Sequence, residues 1–188
     1  MADLLTVPES RISRSDRRYT ADDFLRLCPE GPHDLIEGVV VPRRYSGQMK
    51  GAICATLAHL LQMRLDRSKW MPFCRVGVIC GQSPDTVVCP DFAVSVTRRV
   101  LKGFSEIPPL VAGFVRCPSN PLEDYDDRVR RLFDAGVRET WVFNPDTREA
   151  EVFRPDVAVR RVLSDGAFET DELPGFSATL AECFEDLD

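Results

Sequence analysis

Two stretches of the chain predict its two main helices, one by apolar residues at helical spacing and one by its caps and its acidic front followed by basic residues. In residues 50–65, apolar side chains recur every three or four positions, which is the pattern of a helix with one buried face. The second predicted helix is capped by Asn120 or Asp124 and ends at Gly136, the residue type that most often follows a helix. Two shorter helices are predicted near the ends of the chain.

Short apolar runs separated by turn residues predict strands through most of the remaining chain. The predicted strands are residues 33–37, 39–41, 70–77, 78–81 (the last two as one strand or two), 86–89, 92–96, 110–115, 139–144, 149–154, 157–163 and 167–170. This order predicts an α+β fold, with a mixed sheet flanked by two main helices and an extra β-hairpin region. We found no repeat and no linker, so we expect a flexible N-terminal arm over residues 1–18 and a single domain over residues 19–188.

One acidic residue interrupts an apolar run. Asp91 lies within VVCPDFAV, residues 87–94, and is predicted to lie inside a strand. A carboxylate in such a place is costly to bury unless it is paired or binds a metal. The preceding residue, Pro90, also allows a simpler interpretation, in which Asp91 lies at an edge bulge. The residues alone leave both interpretations open.

The composition excludes several classes of protein. A net charge of −6 and a pI near 5.1 argue against a broad basic surface for nucleic acid, although a local basic groove is compatible with them. No apolar run approaches the length that spans a membrane, and no signal peptide is recognisable. The seven cysteines form no pair or cluster at zinc-binding spacing. These features predict reduced thiols and a cytoplasmic protein without membrane contact.

Several short motifs occur together in an order that resembles the Uma-two family of restriction-endonuclease-like proteins, which have the PD-(D/E)XK nuclease fold. The motifs are DLIEG (34–38), DTVVCPD (85–91), CPSN (117–120), D-x-x-x-R (124–128), AGVRETWVFNPDTREAEVFRP (135–155) and LPGF (173–176). The resemblance extends over roughly residues 19–184. It implies Mg²⁺-dependent cleavage of the phosphodiester bonds of DNA.

The resemblance also assigns roles to particular residues. Asp91 and Glu37 correspond to acids that hold Mg²⁺, a metal that prefers oxygen ligands and acidifies bound water. Asp124 and Arg128 correspond to an aspartate and a lysine on the helix that follows. The four residues together form the predicted catalytic set.

This chain departs from the family at positions that matter for the chemistry. The glutamate of the second core strand falls on Phe114, or on Gly113 if the alignment slips by one residue, and residues 107–122 contain no acid at all. The helix lysine is replaced by Arg128, which cannot exchange a proton near neutral pH. The family's histidine at the start of the long helix is replaced by Lys50.

These departures leave three functional hypotheses. The first is a degenerate nuclease with a degraded metal site and weak or absent hydrolysis. The second is an active Mg²⁺-dependent DNA endonuclease in which another carboxylate, such as Glu123 or Asp124, has taken over the missing ligand position. The third is a non-catalytic interaction protein that forms a homo-oligomer, most simply a homodimer.

Overall fold

A computed structural model describes residues 18–27, 32–43, 47–96, 102–117, 122–155 and 157–187, with the side chains of residues 122–124 and 186 left aside. The α-helices are α1 (Ala21–Leu27), α2 (Gln48–Arg64), α3 (Leu122–Asp134) and α4 (Leu180–Cys183), followed by a 3₁₀ turn at Glu185–Leu187. The strands are β1 (His33–Ile36), β2 (Val39–Pro42), β3 (Met71–Cys74), β4 (Val78–Gly81), β5 (Thr86–Val88), β6 (Phe92–Ser95), β7 (Val111–Val115), β8 (Glu139–Asn144), β9 (Glu149–Arg154), β10 (Val157–Val162), β11 (Ala167–Glu169) and β12 (Ser177–Thr179).

The core is a six-stranded mixed sheet with the order β10-β9-β8-β7-β6-β3. β7 and β8 are parallel, and the other neighbouring pairs are antiparallel. Side chains of β7 alternate between the two faces of the sheet, as the pleat requires. Val111 and Val115 belong to the apolar cluster that includes α2, whereas Ala112 and Phe114 belong to the cluster that includes α3. The two main helices therefore cover opposite faces of this sheet.

A second sheet lies beside the first and has the strand order β2-β1-β5-β4. The chain passes from this sheet into the six-stranded one through Cys89, Pro90 and Asp91, which separate β5 from β6. The prediction that Asp91 lies inside a strand is therefore wrong. Pro90 lacks a backbone donor, and the apolar run breaks there into two strands of different sheets.

The sequence-based prediction of an α+β fold with a mixed sheet and two main helices is confirmed. The hairpin of β8 and β9 has the predicted bounds, because a mainly apolar run (β8) and an alternating run (β9) flank a clear turn. Of the predicted N-terminal arm, residues 1–17 lie outside the described residues, and Arg18 donates a hydrogen bond to the carbonyl oxygen of Glu37 (2.7 Å). No helix among the described residues is both long and apolar enough to span a membrane.

Candidate functional site

Two buried carboxylates lie where the two sheets meet. Asp34 is in β1 and is 1% exposed, and Asp91 is 8% exposed. The backbone amide of Cys89 donates to Oδ1 of Asp34 (2.9 Å), and the amide of Val115 donates to Oδ2 of Asp91 (2.8 Å). Backbone groups of the β5–β6 connection and of the end of β7 therefore fix both carboxylates in place.

Arg43 links the two carboxylates. Its Nη1 lies 3.8 Å from Oδ1 of Asp34, and its Nη2 lies 3.5 Å from Oδ1 of Asp91. The guanidinium also donates a hydrogen bond to the carbonyl oxygen of Cys89. Burial disfavours the charge of Arg43, but the two nearby carboxylates outweigh it and raise the pKa of the guanidinium above its ordinary value. Arg43 therefore remains a cation between two anions.

Each carboxylate has a second cationic partner. Nζ of Lys50, from the first turn of α2, lies 2.7 Å from Oδ2 of Asp91. Nη2 of Arg128, from α3, lies 2.8 Å from Oδ2 of Asp34. All five side chains are at least nine-tenths buried. Among the described side chains, the cluster thus brings three cations and two anions together.

A cavity of about 580 Å³ opens beside this cluster. Its charged lining residues are Arg43, Lys50, Arg75 and Asp91, and His33 also lies on its wall. α2 contributes a face of small residues to the cavity, and its N-terminus, at Gly47, lies on the same wall. The cavity is the concave space closest to Asp91, so any ligand of the cluster would enter there.

The structure does not bring Glu37 to Asp91. Glu37 lies in the turn between β1 and β2, with φ 49°, and its side chain is 59% exposed. Its nearest cation is Arg131 of α3, with Nη2 3.5 Å from Oε1. The acid that does join Asp91 is Asp34, three positions earlier in the same motif.

Arg128 lies in the cluster, as the partner of Asp34. Asp124 lies in the first turn of α3, and its side chain is outside the described residues, as is that of Glu123. Asp126, a further acid of that turn, is exposed and lines a groove with Arg116 and Arg130 rather than the cavity beside Asp91.

Phe114 is fully buried and lies on the α3 side of β7. Its ring meets the ring of Tyr125 edge to face (centroids 5.8 Å apart), and the guanidinium of Arg128 lies 5.9 Å from its centroid. An aromatic ring thus supports the arginine that neutralises Asp34. No carboxylate is present at this position to offer a further oxygen ligand.

The donor set does not fit the Mg²⁺ that the family implies. Within the described ranges, no three acidic, histidine or cysteine side chains converge in a way that could hold a metal ion. Asp34 and Asp91 both face cations, and two of these cations are arginines, which stay charged at any pH at which the protein is folded.

The thiols around the cluster are protonated. Burial, followed by the charge of Asp91, raises the pKa of Cys54 to about 12. Burial and Asp34 likewise raise the pKa of Cys89 to about 12. Neither cysteine is therefore a thiolate ligand or nucleophile near neutral pH.

The residues around Asp34 contain a signal of its role. A strand of four residues, His33–Ile36, has an acid beside a buried leucine, and an acid inside a strand requires partners if it is buried. Glu37, next to a glycine at the end of the strand, is instead in the position of an ordinary turn residue.

The fold and the site define the class: a nuclease-like α+β protein with buried acids at a sheet junction. A family model named Uma2, described as "Putative restriction endonuclease", matches residues 21–181. The chain belongs to this family.

Comparison with solved structures gives the same fold. A structure titled as a putative nuclease belonging to DUF820 from Anabaena variabilis ATCC 29413 superposes with a TM-score of 0.77. The match covers 90% of this chain and 99% of that one, at 18% sequence identity. At this identity the similarity establishes the fold and leaves the activity open. No curated protein matches the chain significantly.

Proposed function

We propose that this chain is a non-catalytic member of its nuclease-like family, in which internal salt bridges take the place of the metal centre and phosphodiester hydrolysis is weak or absent. The observation that carries the proposal is the position of Arg43 between Asp34 and Asp91. A cation supplied by the protein stands between the two carboxylates that are best placed to bind Mg²⁺.

The electrostatics support this proposal. Mg²⁺ gives up its water ligands reluctantly and needs carboxylates with free lone pairs. Both oxygens of Asp91 face a cation, and Oδ2 additionally accepts a backbone hydrogen bond. A divalent ion at Asp91 would have to displace Lys50 or approach it at close range, and like charges in a partly buried site repel strongly.

Cleavage assays test the proposal directly. Supercoiled plasmid and single-stranded DNA are incubated with the protein and millimolar Mg²⁺ or Mn²⁺, alongside the variants Asp91→Ala and Asp127→Ala. Asp127 is a matched control, because it pairs with Arg130 and Arg131 on the surface of α3. We expect no cleavage that depends on Asp91. Metal-dependent cleavage that Asp91→Ala abolishes and Asp127→Ala retains would refute the proposal.

The same assay addresses the competing hypothesis of an active Mg²⁺-dependent endonuclease with a relocated carboxylate. That hypothesis requires cleavage that is lost in both Asp91→Ala and either Glu123→Ala or Asp124→Ala. Calorimetric titration with Mn²⁺ adds an independent measurement. We expect no heat of binding that distinguishes the wild-type protein from Asp91→Ala.

A second candidate function is self-association through the edge of the six-stranded sheet. β10 is an edge strand, and Val157, Val159 and the adjacent Leu163 are exposed there. Exposed apolar edge strands tend to pair with another chain. Light scattering of the wild-type protein, Val159→Lys and the exposed control Met63→Lys tests this function. A homodimer that only Val159→Lys dissociates supports it, and a monomer at high concentration refutes it.

We also propose DNA as a partner and the cytoplasm as a location, and the family and the composition support both. The cavity beside Asp91 brings Arg43, Lys50 and Arg75 together, whereas the whole chain is acidic. We propose that a contact with DNA would centre on that cavity. A gel-shift titration with duplex and single-stranded DNA at two salt concentrations measures such a contact, because phosphate binding weakens with salt.

A further inference from the structure

We propose that Arg43 is the residue that excludes divalent metal ions from this site, because its guanidinium occupies a set of three oxygen atoms that would otherwise bind a cation. The three atoms are Oδ1 of Asp34, Oδ1 of Asp91 and the carbonyl oxygen of Cys89. This inference rests on the proposed function and names the residue responsible for it. It assigns the exclusion to a cation present in the site, rather than to the acid that is missing from β7.

The contacts of Arg43 define the oxygen set. Its two carboxylate contacts, 3.8 Å to Asp34 and 3.5 Å to Asp91, are longer than the roughly 2.7–3.2 Å of a direct hydrogen bond. The guanidinium therefore acts on both carboxylates mainly through its charge. Carboxylate and carbonyl oxygens are also the ligands that hard divalent cations prefer. The three oxygens around Arg43 are thus a donor set that suits a metal ion as well as an arginine.

The other oxygen of each carboxylate has a different partner. Lys50 contacts Oδ2 of Asp91 (2.7 Å), and Arg128 contacts Oδ2 of Asp34 (2.8 Å). Among the described side chains, Arg43 is the cation that contacts both carboxylates. Its removal would leave two buried Oδ1 atoms directed at the same space. Buried charge without a partner is costly, and a divalent ion in that space would offset the cost.

The space that Arg43 fills is connected to solvent. The side chain of Arg43 is 7% exposed, and Arg43, Cys89 and Asp91 all line the cavity of about 580 Å³. The backbone amide of Arg43 donates to the carbonyl oxygen of Pro32 (2.8 Å), so its main chain is also held in place, directly after β2. A metal ion needs an entry path to a buried site, and the cavity provides one once the guanidinium is removed.

The missing acid of β7 explains the exclusion less well. Phe114 lies on the α3 side of β7, and the guanidinium of Arg128 is 5.9 Å from the centre of its ring. A glutamate at this position would therefore lie beside another arginine. At Gly113, a Cβ atom would lie 2.0 Å from Cζ of Phe92. An acid at either position leaves Arg43 in contact with its three oxygens.

Isothermal titration calorimetry of the full chain with Mn²⁺ compares the two explanations, since Mn²⁺ also prefers oxygen ligands. We expect Arg43→Ala to bind Mn²⁺ saturably and at least about tenfold more tightly than the wild type, whereas Phe114→Glu should behave as the wild type does. An affinity of Arg43→Ala equal to that of the wild type would overturn the proposal. So would an equal gain in Phe114→Glu.

Two variants control for the loss of a buried arginine. Arg116→Ala removes a largely buried arginine that pairs with a single carboxylate, Glu151, and should gain no affinity for Mn²⁺. Arg43→Ala combined with Asp91→Asn should lose the affinity that Arg43→Ala gains. A gain in Arg116→Ala of the same size, or binding that persists without the Asp91 carboxylate, would contradict the assignment to this oxygen set.

Lys50 provides a graded version of the test. It remains opposite Oδ2 of Asp91 in Arg43→Ala and repels a divalent ion there. The double variant Arg43→Ala/Lys50→Gln should therefore bind Mn²⁺ more tightly than Arg43→Ala alone. Weaker binding by the double variant would contradict the proposal.

Thermal unfolding keeps the test decisive if Arg43→Ala is too unstable for calorimetry. A ligand that binds only the folded state raises the midpoint of unfolding. Arg43→Gln is the second variant, because it keeps a long side chain in the buried space and removes the charge. We expect millimolar Mn²⁺ to raise the midpoint of the Arg43 variants and to leave that of the wild type unchanged. No rise in either variant would overturn the proposal.

The results separate this inference from the proposed function. Arg43 variants that bind no Mn²⁺, together with a wild-type protein that cleaves no DNA, refute the inference alone. Binding of Mn²⁺ by the wild type that Asp91→Ala abolishes refutes the proposed function, and the inference then falls with it.

Discussion

Nζ of Lys50 lies 2.7 Å from Oδ2 of Asp91, and both side chains are at least nine-tenths buried. Lys50 comes from the first turn of α2, whereas Asp91 follows Pro90 in the connection between the two sheets. The ion pair therefore ties the long helix to the sheet junction. It also places a fixed cation against the carboxylate to which the family resemblance assigns a metal.

The first prediction concerns the stability that this contact provides. Asp91→Asn leaves Lys50 and Arg43 buried with one anion fewer, and we expect a loss of about 3 kcal/mol or more in the free energy of unfolding. Urea denaturation measures the change. Asp127→Asn, which breaks a partly exposed pair on α3, should cost less than about 1 kcal/mol. Similar losses in the two variants would show that the buried ion pair contributes no more to the free energy of unfolding than a partly exposed one does.

The hydrophobic pattern predicted most of the helices and strands, because each of them can be recognised from neighbouring residues alone. β8 is a mainly apolar run, β9 alternates between more and less buried residues, and α2 has one buried face. Each of these patterns can be recognised within a few residues. Asp91 was predicted inside a strand because the hydrophobic pattern does not reveal that the two halves of one apolar run belong to two different sheets. Pro90 is the local sign of that break, and either a bulge or a change of sheet is compatible with it.

The composition of the site was harder to predict, because it depends on which strands become neighbours. Asp34 and Asp91 are 57 positions apart, and only the pairing of β1 with β5 brings them together. The motif DLIEG contains two acids, and the one that the resemblance indicated, Glu37, lies in the turn next to the glycine, whereas Asp34 lies near Asp91. No feature of the sequence around Arg43 predicts its role, since that role depends on its position between two carboxylates that are far apart in the sequence.

The second prediction concerns Gly113, one of the two positions on which the family's missing glutamate falls. A Cβ atom added to Gly113 would stand 2.0 Å from Cζ of Phe92, whose ring covers the glycine from β6. Gly113→Ala should therefore cost at least about 2 kcal/mol in the free energy of unfolding, and a glutamate should cost more. Thermal or urea unfolding measures this.

Gly51 provides the matched control for that substitution. Nothing lies within 4 Å of a Cβ atom at this position of α2, so Gly51→Ala should stabilise the protein by about 0.5–1 kcal/mol. The substitution Phe92→Leu should reduce the cost of Gly113→Ala. A Gly113→Ala protein as stable as the wild type would mean that the ring of Phe92 does not occupy that space.

The third prediction concerns the turn that holds Glu37. Glu37 and Gly38 both have positive φ, 49° and 76°, as a two-residue hairpin turn requires. Asparagine tolerates this conformation better than glutamate, so Glu37→Asn should stabilise the protein by up to about 1 kcal/mol. Glu37→Asn also removes the ion pair with Arg131. This ion pair is long and Glu37 is exposed, so it contributes little to the free energy of unfolding.

Gly38→Ala is the comparison at the neighbouring position. It should destabilise the protein, because its Cβ would lie 2.9 Å from Cβ of Arg18 at a φ that disfavours alanine. Urea denaturation measures the free energy of unfolding of both variants. A Glu37→Asn protein less stable than the wild type would contradict the prediction.

The fourth prediction concerns the stability of the protein at acidic pH and rests on an ion pair of α4. Arg64 of α2 donates to Glu182 of α4 through two of its guanidinium nitrogens, Nη2 at 2.6 Å and Nη1 at 3.2 Å. This contact, followed by the hydrogen bond from the amide of Thr179, lowers the pKa of Glu182 from 4.5 to about 2. A carboxylate with a lower pKa in the folded protein contributes stability above its unfolded pKa, and this contribution is lost as the pH falls towards the folded pKa.

Glu182→Gln removes that contribution at neutral pH. Because Arg64 and Glu182 are each more than one third exposed, we expect the variant to lose no more than about 1 kcal/mol at about pH 7. The difference from the wild type should shrink as the pH falls from about 4.5 towards about 2, because Glu182 is progressively protonated in this range and becomes uncharged, like glutamine, only below the folded pKa. Urea denaturation at several pH values in this range measures it, with Glu169→Gln as an exposed control. A difference that is independent of pH would mean that the capping geometry of α4, rather than the charge of Glu182, provides the stability.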